Sequence, residues 1–137
     1  MVTDPDCLFC KIVSGDLPSV RVHEDERTVA FMDINPATRG HLLVVPRAHA
    51  RDLLVVAPED LAACAQTAQR LAGLVCERLG AIGVNLLNSC GEAAWQTVFH
   101  LHLHVIPRYE DDPLRLPWVP GPGSPDEIAA AAAALTA

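Results

Sequence analysis

In TVFHLHLHVIPR, residues 97–108, apolar and polar positions alternate strictly, with Leu101, Leu103 and Val105 set between His100, His102 and His104. A period of two bounded by Pro107 predicts a β-strand with one buried face, which puts the three imidazoles together on the other. VRVHED (20–25) and TVAFMDI (28–34) are β-rich runs separated by Glu26 and Arg27, the pattern of a hairpin. HLLVVP (41–46), entered through Pro36 and Gly40, and AIGVNLLN (81–88) read as two further strands. From Pro58 to about Leu79 the apolar residues recur at three and four, and Pro58 at the opening with Gly80 just past the end brackets one long helix.

After Arg108 this order breaks down. Pro113, Pro117, Pro120, Pro122 and Pro125 interrupt any regular element, so residues 113–125 read as an extended tail or lid. Ser124 and Glu127 have capping-box spacing ahead of an alanine-rich helix over 125–137. Hairpin-linked strands with helices outside them predict an α+β fold on an antiparallel sheet of about five strands. The chain shows no internal repeat, and its 137 residues suit one domain, 1–137, that buries about two thirds of the surface of its unfolded form.

Charge and cysteine usage narrow the function classes. A net charge of −7 without clustered Lys and Arg disfavours nucleic acid as a partner but leaves room for a small anionic ligand held by local groups. No stretch approaches the ~20 continuous apolar residues of a membrane span, and MVTDPDCLFC lacks a basic leader, so a cytoplasmic protein with no membrane partner is expected. Five cysteines are an odd number, and Cys64 and Cys76 fall in the helical pattern, which argues against a disulfide framework.

The histidine run carries the chemistry. His23, in an acidic hairpin, reads as a surface residue without a role. Alternate residues on a straight strand stand about 7 Å apart, and the outer pair about 13 Å, whereas zinc holds each nitrogen at roughly 2 Å. One ion therefore cannot take all three. Division of labour along an extended substrate fits better, and phosphoryl chemistry matches it. With an unperturbed pKa of about 6.5, most of an imidazole is neutral and nucleophilic at pH 7, while neighbours stabilise charge on the equatorial oxygens. Gln96 and Thr97, just before the run, are placed to donate hydrogen bonds to those oxygens.

His-Leu-His-Leu-His-Val-Ile resembles the signature of the histidine-triad (HIT) superfamily. CLFCKIVSGDLPSVRVHEDERTVAFMDINPATRGHLLVVPRAHARDL resembles the N-terminal half of its Hint-type branch, with Phe-x-Asp-Ile-x-Pro and Gly-His-x-Leu-Val-x-Pro patterns, and the likeness runs from residue 7 to about 110. The resemblance implies a homodimer whose two sheets join into one. It also implies hydrolysis of the bond between the α-phosphate of a purine nucleotide and an amine or other leaving group, through a nucleotidyl-histidine intermediate. By position, His102 resembles the nucleophile, with His104 and His41 beside the phosphate. Asp33 matches the carboxylate that holds the ribose hydroxyls, and Phe9, Ile12 and Ile34 match the apolar slot for the base. Asn88 matches an asparagine that contacts ribose or phosphate.

Ala94 and Trp95 depart from the pattern, standing where the family often has a glycine pair before the glutamine. Trp95 either narrows the phosphate site and excludes bulky leaving groups or packs on the sheet. Cys7-x-x-Cys10 alone is compatible with a metal site, a redox pair or two buried thiols. With His49 and His100 it completes a Cys/His set of four, and some bacterial relatives with this cysteine pair resemble that pattern and bind structural zinc. The leading reading is a nucleoside phosphoramidase. A dinucleoside-polyphosphate hydrolase and a non-catalytic nucleotide-binding interaction module are the alternatives.

Overall fold

A computed structural model describes residues 1–137. The order of elements is α1 (Leu8–Ser14), β1 (Arg21–Glu24), β2 (Thr28–Met32), β3 (Leu42–Pro46), α2 (Pro58–Leu79), β4 (Gly83–Leu87), a single 3-10 turn (Glu92–Ala94), β5 (Leu103–Arg108) and α3 (Pro125–Thr136). The strands form one antiparallel sheet in the order β1-β2-β3-β5-β4. This is the α+β architecture the hydrophobic pattern predicts. No helix is long and apolar enough to cross a membrane.

Local chemistry explains the boundaries. The β1–β2 turn closes on Asp25, whose carboxylate accepts from the backbone N–H groups of Arg27 and Thr28 and from the Thr28 hydroxyl. Proline opens α2, and Gly80, in the left-handed region, ends it by donating its N–H to the Val75 carbonyl. Ser124 caps α3 by accepting from the Glu127 N–H at 3.4 Å.

Both faces of the central strands are covered. On one, Cys64, Ala68, Leu71 and Val75 of α2, spaced four, three and four apart, pack on Ala30, Leu42, Val44, Leu103 and Val105. On the other, Cys7, Phe9, Cys10 and Ile12 of the α1 region pack on Val29, Phe31, Leu43 and Val45. Because side chains alternate along a strand, Leu103 and Val105 take the α2 side and His104, paired with Leu43, takes the α1 side.

The structure corrects two expectations about the histidine run. The strand starts at Leu103, so His100 and His102 precede it; the Leu101 N–H donates to the Ala50 carbonyl instead of to a sheet partner. Nor is the histidine face a solvent face: the α1 region closes over it, leaving His100 at 0% and His102 at 5% exposure. Alternation identifies which side chains share a side, but not whether a separate segment covers it.

Candidate active site and candidate metal centre

A cavity of about 430 Å³ opens beside β5. Its walls include Phe9, Ile12, Phe31, Leu43, Val98 and the rings of His102 and His104, with Asp33, Ile34 and Thr97 at its polar end and rim. Phe9 is set edge-on against His102 with ring centroids 5.0 Å apart, and His102 against His104 at the same distance. Ile34 is 88% exposed, so it contributes to the mouth and not to the floor.

Hydrogen bonding assigns the tautomers. His102 Nδ1 lies 2.7 Å from the His100 carbonyl oxygen, which can only accept, so Nδ1 carries the proton and Nε2 keeps a free lone pair. The Ala37 backbone N–H donates to His41 Nδ1 at 3.0 Å, which leaves the proton of a neutral His41 on Nε2. That proton points to His104 Nδ1, 2.9 Å away, and His104 in turn carries its own proton on Nε2. Two adjacent rings thus differ in character: His102 offers an acceptor, His104 a donor. His41 is held against His104 by this hydrogen bond and is not among the residues that line the cavity.

Burial keeps these rings neutral. His104 falls to about 4, first through desolvation and then through its neighbours His102 and His41, against the attraction of Asp33. Burial also lowers His102 and His41, with the Asp33 carboxylate pulling both the other way. The unfolded chain, with an ordinary pKa of 6.5 for His104, binds a proton first as pH drops. The His104 contribution to stability therefore falls between pH 6.5 and pH 4 and is constant below. In a thermal-melting series across this range, His104→Gln should show a shallower decline than the parent chain; equal slopes would mean that folded His104 accepts a proton as readily as the unfolded one.

Asp33 divides its carboxylate. One oxygen accepts from the Asn35 backbone N–H at 2.8 Å, and the other lies 3.5 Å from His41 Nε2. Asn88 Nδ2–H donates to the His102 carbonyl at 3.0 Å, while its buried Oδ1 has no hydrogen-bond partner. Gln96 does not line the cavity. Its amide donates to the carbonyls of Arg51 and Val98 and accepts from the Gly91 N–H, so it has no free donor for a ligand oxygen. Leu17, Pro18 and Val98, absent from the sequence-derived site, are wall residues as well. No periodicity marks them; the left-handed Gly15 returns the chain past α1 and brings the first two there.

Trp95, two residues before Thr97, has φ of 76°, the one residue other than glycine in the left-handed region, and is 62% exposed. Such a backbone costs an ordinary L-residue about 1–2 kcal/mol. It belongs to neither core cluster, so its ring is not part of the core on either face of the sheet.

The third histidine faces elsewhere. His100 Nε2–H donates to the Pro46 carbonyl at 2.9 Å, which turns the Nδ1 lone pair toward Cys7 Sγ at 3.4 Å, Cys10 Sγ at 3.5 Å and His49 Nδ1 at 3.3 Å. Cys10 Sγ is also 3.5 Å from His49 Nδ1, and all four ligand atoms lie within 4.8 Å of one another. Four ligands at zinc distances on tetrahedral corners stand about 3.3 Å apart between nitrogens and about 3.5 Å between nitrogen and sulfur. The donor set, its spacing and the carbonyl behind His100 fit that ion. Burial raises the Cys10 thiol, so a thiolate there calls for a nearby cation.

The HIT domain family profile matches residues 14–111. Adenosine 5'-monophosphoramidase hnt1 of Schizosaccharomyces pombe is 38% identical over 125 residues, covering 90% of this chain and 91% of that protein. SMU.412c from Streptococcus mutans UA159 superposes with a TM-score of 0.92 at 37% identity, over 98% of this chain and 85% of the other. A Zn-bound histidine triad family protein from Mycobacterium smegmatis gives a TM-score of 0.78 at 47% identity, over 85% of this chain and 84% of the other.

Proposed function

Because this chain belongs to the HIT family, we propose that it is a purine-nucleotide-binding hydrolase that cleaves nucleoside 5'-phosphoramidates through a nucleotidyl intermediate on His102. One observation carries the reading: at one cavity wall, His102 presents an unprotonated Nε2 beside a His104 ring whose Nε2 carries a proton. A nucleophile next to a donor for the phosphoryl oxygen is what displacement at phosphorus requires.

In this reading Phe9, Ile12 and Ile34 hold the base, Asp33 accepts from the ribose hydroxyls, and the His104 Nε2–H donates to a phosphate oxygen. His41 acts through His104 by fixing its tautomer, Thr97 borders the phosphate, and Asn88 and Gln96 hold the surrounding backbone. His102 Nε2 attacks phosphorus, the phosphorus–nitrogen bond breaks, and the amine departs with a solvent proton. Water then attacks the same phosphorus; the bond to His102 breaks, its electron pair returns to Nε2, and a proton goes to solvent. Cys7, Cys10, His49 and His100 would hold a zinc ion in a structural role, its four-ligand shell leaving no position for activated water. The M. smegmatis relative described as Zn-bound supports this, as does the ligand spacing. Two copies joining through the edge strand β4, where Leu86 is exposed, complete the reading as a homodimer.

Turnover of adenosine 5'-phosphoramidate and of a diadenosine polyphosphate, measured side by side, tests the assignment. A clear preference for the phosphoramidate is expected. Preference for the polyphosphate would replace the reading with its hydrolase alternative, and tight nucleotide binding without turnover of either would leave a binding module.

A further inference from the structure

The candidate metal centre and the cavity share a helix. α1 is seven residues long, and Cys7 caps it, its Sγ accepting from the Cys10 N–H at 3.3 Å. Both cysteines belong to the four-ligand cluster. The same short helix carries Leu8, Phe9 and Ile12 into the cavity wall. Phe9 stands between the two cysteines in the chain, and its buried ring lies edge-on to His100 at 6.0 Å and to His102 at 5.0 Å between centroids. It therefore packs between a ligand of the metal centre and the imidazole that borders the cavity.

The imidazole side of the cavity is tied to the same cluster, because His100 supplies a ligand atom and its carbonyl accepts the His102 Nδ1–H. One ion there holds α1 and the segment before β5 relative to each other. A helix of seven residues is too short to be stable alone, so its placement depends on what it is fastened to. Phe9 and Ile12 pack on Val29, Phe31, Leu43 and Val45, and the Arg21 guanidinium donates to the Ile12 and Val13 carbonyls. The arginine fixes the last turn, which leaves the first turn, with Phe9, to packing and to the cysteines.

We propose that Phe9 couples the two sites, so that zinc at Cys7, Cys10, His49 and His100 and a nucleotide in the cavity each tighten the binding of the other. Zinc fixes the first turn of α1, and with it the Phe9 ring, before the base arrives, which removes an ordering cost from nucleotide binding. A base held against Phe9 in turn keeps Cys7 and Cys10 at the two histidines. Thermodynamic linkage makes the two effects equal in size. The coupling acts on KM and leaves kcat nearly unchanged, because the His102 Nδ1–H goes to a backbone carbonyl and not to the ion. The proposal rests on the nucleotide and zinc readings above and adds that the metal centre governs occupancy of the cavity.

The test is an equilibrium cycle on the full chain with AMP and Zn²⁺ as probes. Zinc affinity is measured by competition with a chelator of known strength, with and without saturating AMP, and AMP affinity by calorimetry on zinc-loaded and zinc-stripped protein. The two factors should agree at about tenfold, within the usual range of coupling between sites. In Phe9→Leu, with AMP raised to saturation, the factor should fall below about twofold; Phe9→Met, whose flexible side chain fills irregular space, replaces it if the leucine variant does not fold. Asp33→Asn, which weakens nucleotide binding from the segment after β2, should keep the full factor. A factor below about twofold in the parent, an equal factor in the parent and the Phe9 variant, or loss of it in Asp33→Asn would overturn the proposal. A chain that binds no AMP would overturn the nucleotide reading, and one that binds no zinc the metal reading, each taking this proposal with it but distinct from a loss of coupling.

Discussion

His102→Ala should lower kcat for adenosine 5'-phosphoramidate by roughly 10⁴-fold or more, the scale seen when a covalent nucleophile is removed, and should leave nucleotide affinity within a few fold. The asymmetry follows from the geometry. In the proposed reading the base is held by Phe9, Ile12 and Ile34 and the ribose by Asp33, residues of α1 and of the segment after β2 that line the cavity apart from His102, so binding should persist without the imidazole. The covalent step does not, because His102 is the ring whose Nε2 is left free once its Nδ1–H is committed to the His100 carbonyl. His104 cannot substitute while the His41–His104 hydrogen bond keeps its proton on Nε2. Single-turnover mass spectrometry, quenched under conditions that preserve a phosphoramidate bond, should find the nucleotidyl adduct on His102 alone. An adduct on His104, or normal turnover by the alanine variant, would show that the nucleophile is another group.

Protein purified without chelator should carry one zinc per chain, and Cys10→Ser should remove it and lower the melting temperature by about 10 °C or more. That estimate follows from the large share of a small domain's stability that a structural zinc site supplies. The cluster joins three distant parts of the chain: Cys7 and Cys10 at α1, His49 after β3, and His100 before β5. Losing the ion unties all three at once, and in the variant leaves the buried Cys7 thiol at 3.4 Å and the His49 Nδ1 at 3.3 Å from His100 Nδ1. Activity per folded molecule should fall less than stability, since the Nδ1–H bond of His102 goes to a backbone carbonyl and not to the metal. Absence of stoichiometric zinc would refute the assignment. So would a fully folded metal-free form in which added zinc directly restores a lost chemical step.

Much of the architecture is written in short-range pattern. Pro58 and Gly80 bracket α2, the four–three–four spacing of Cys64, Ala68, Leu71 and Val75 selects its buried face, and the Glu26–Arg27 break places the hairpin. Each of these is decided within a turn or two of chain, where propensity, capping and alternation act directly. The triad pattern and the cysteine pair likewise mark where chemistry concentrates, and the family likeness adds roles to match.

What alternation along β5 left undecided is where the strand ends and what covers its far face. The pairing of Leu103 with Val44 and the capture of the Leu101 N–H by Ala50 stop the ladder one residue after His102, and that frees His100 to turn into the cluster with Cys7, Cys10 and His49. The same long-range contacts send the Gln96 amide into the backbone, hold His41 against His104, and keep Trp95 in a conformation that glycine would adopt freely. A sequence determines the side on which a residue lies because its neighbours in the chain fix that; which partner fills the space on that side depends on segments dozens of residues away, and only the packed structure brings them together.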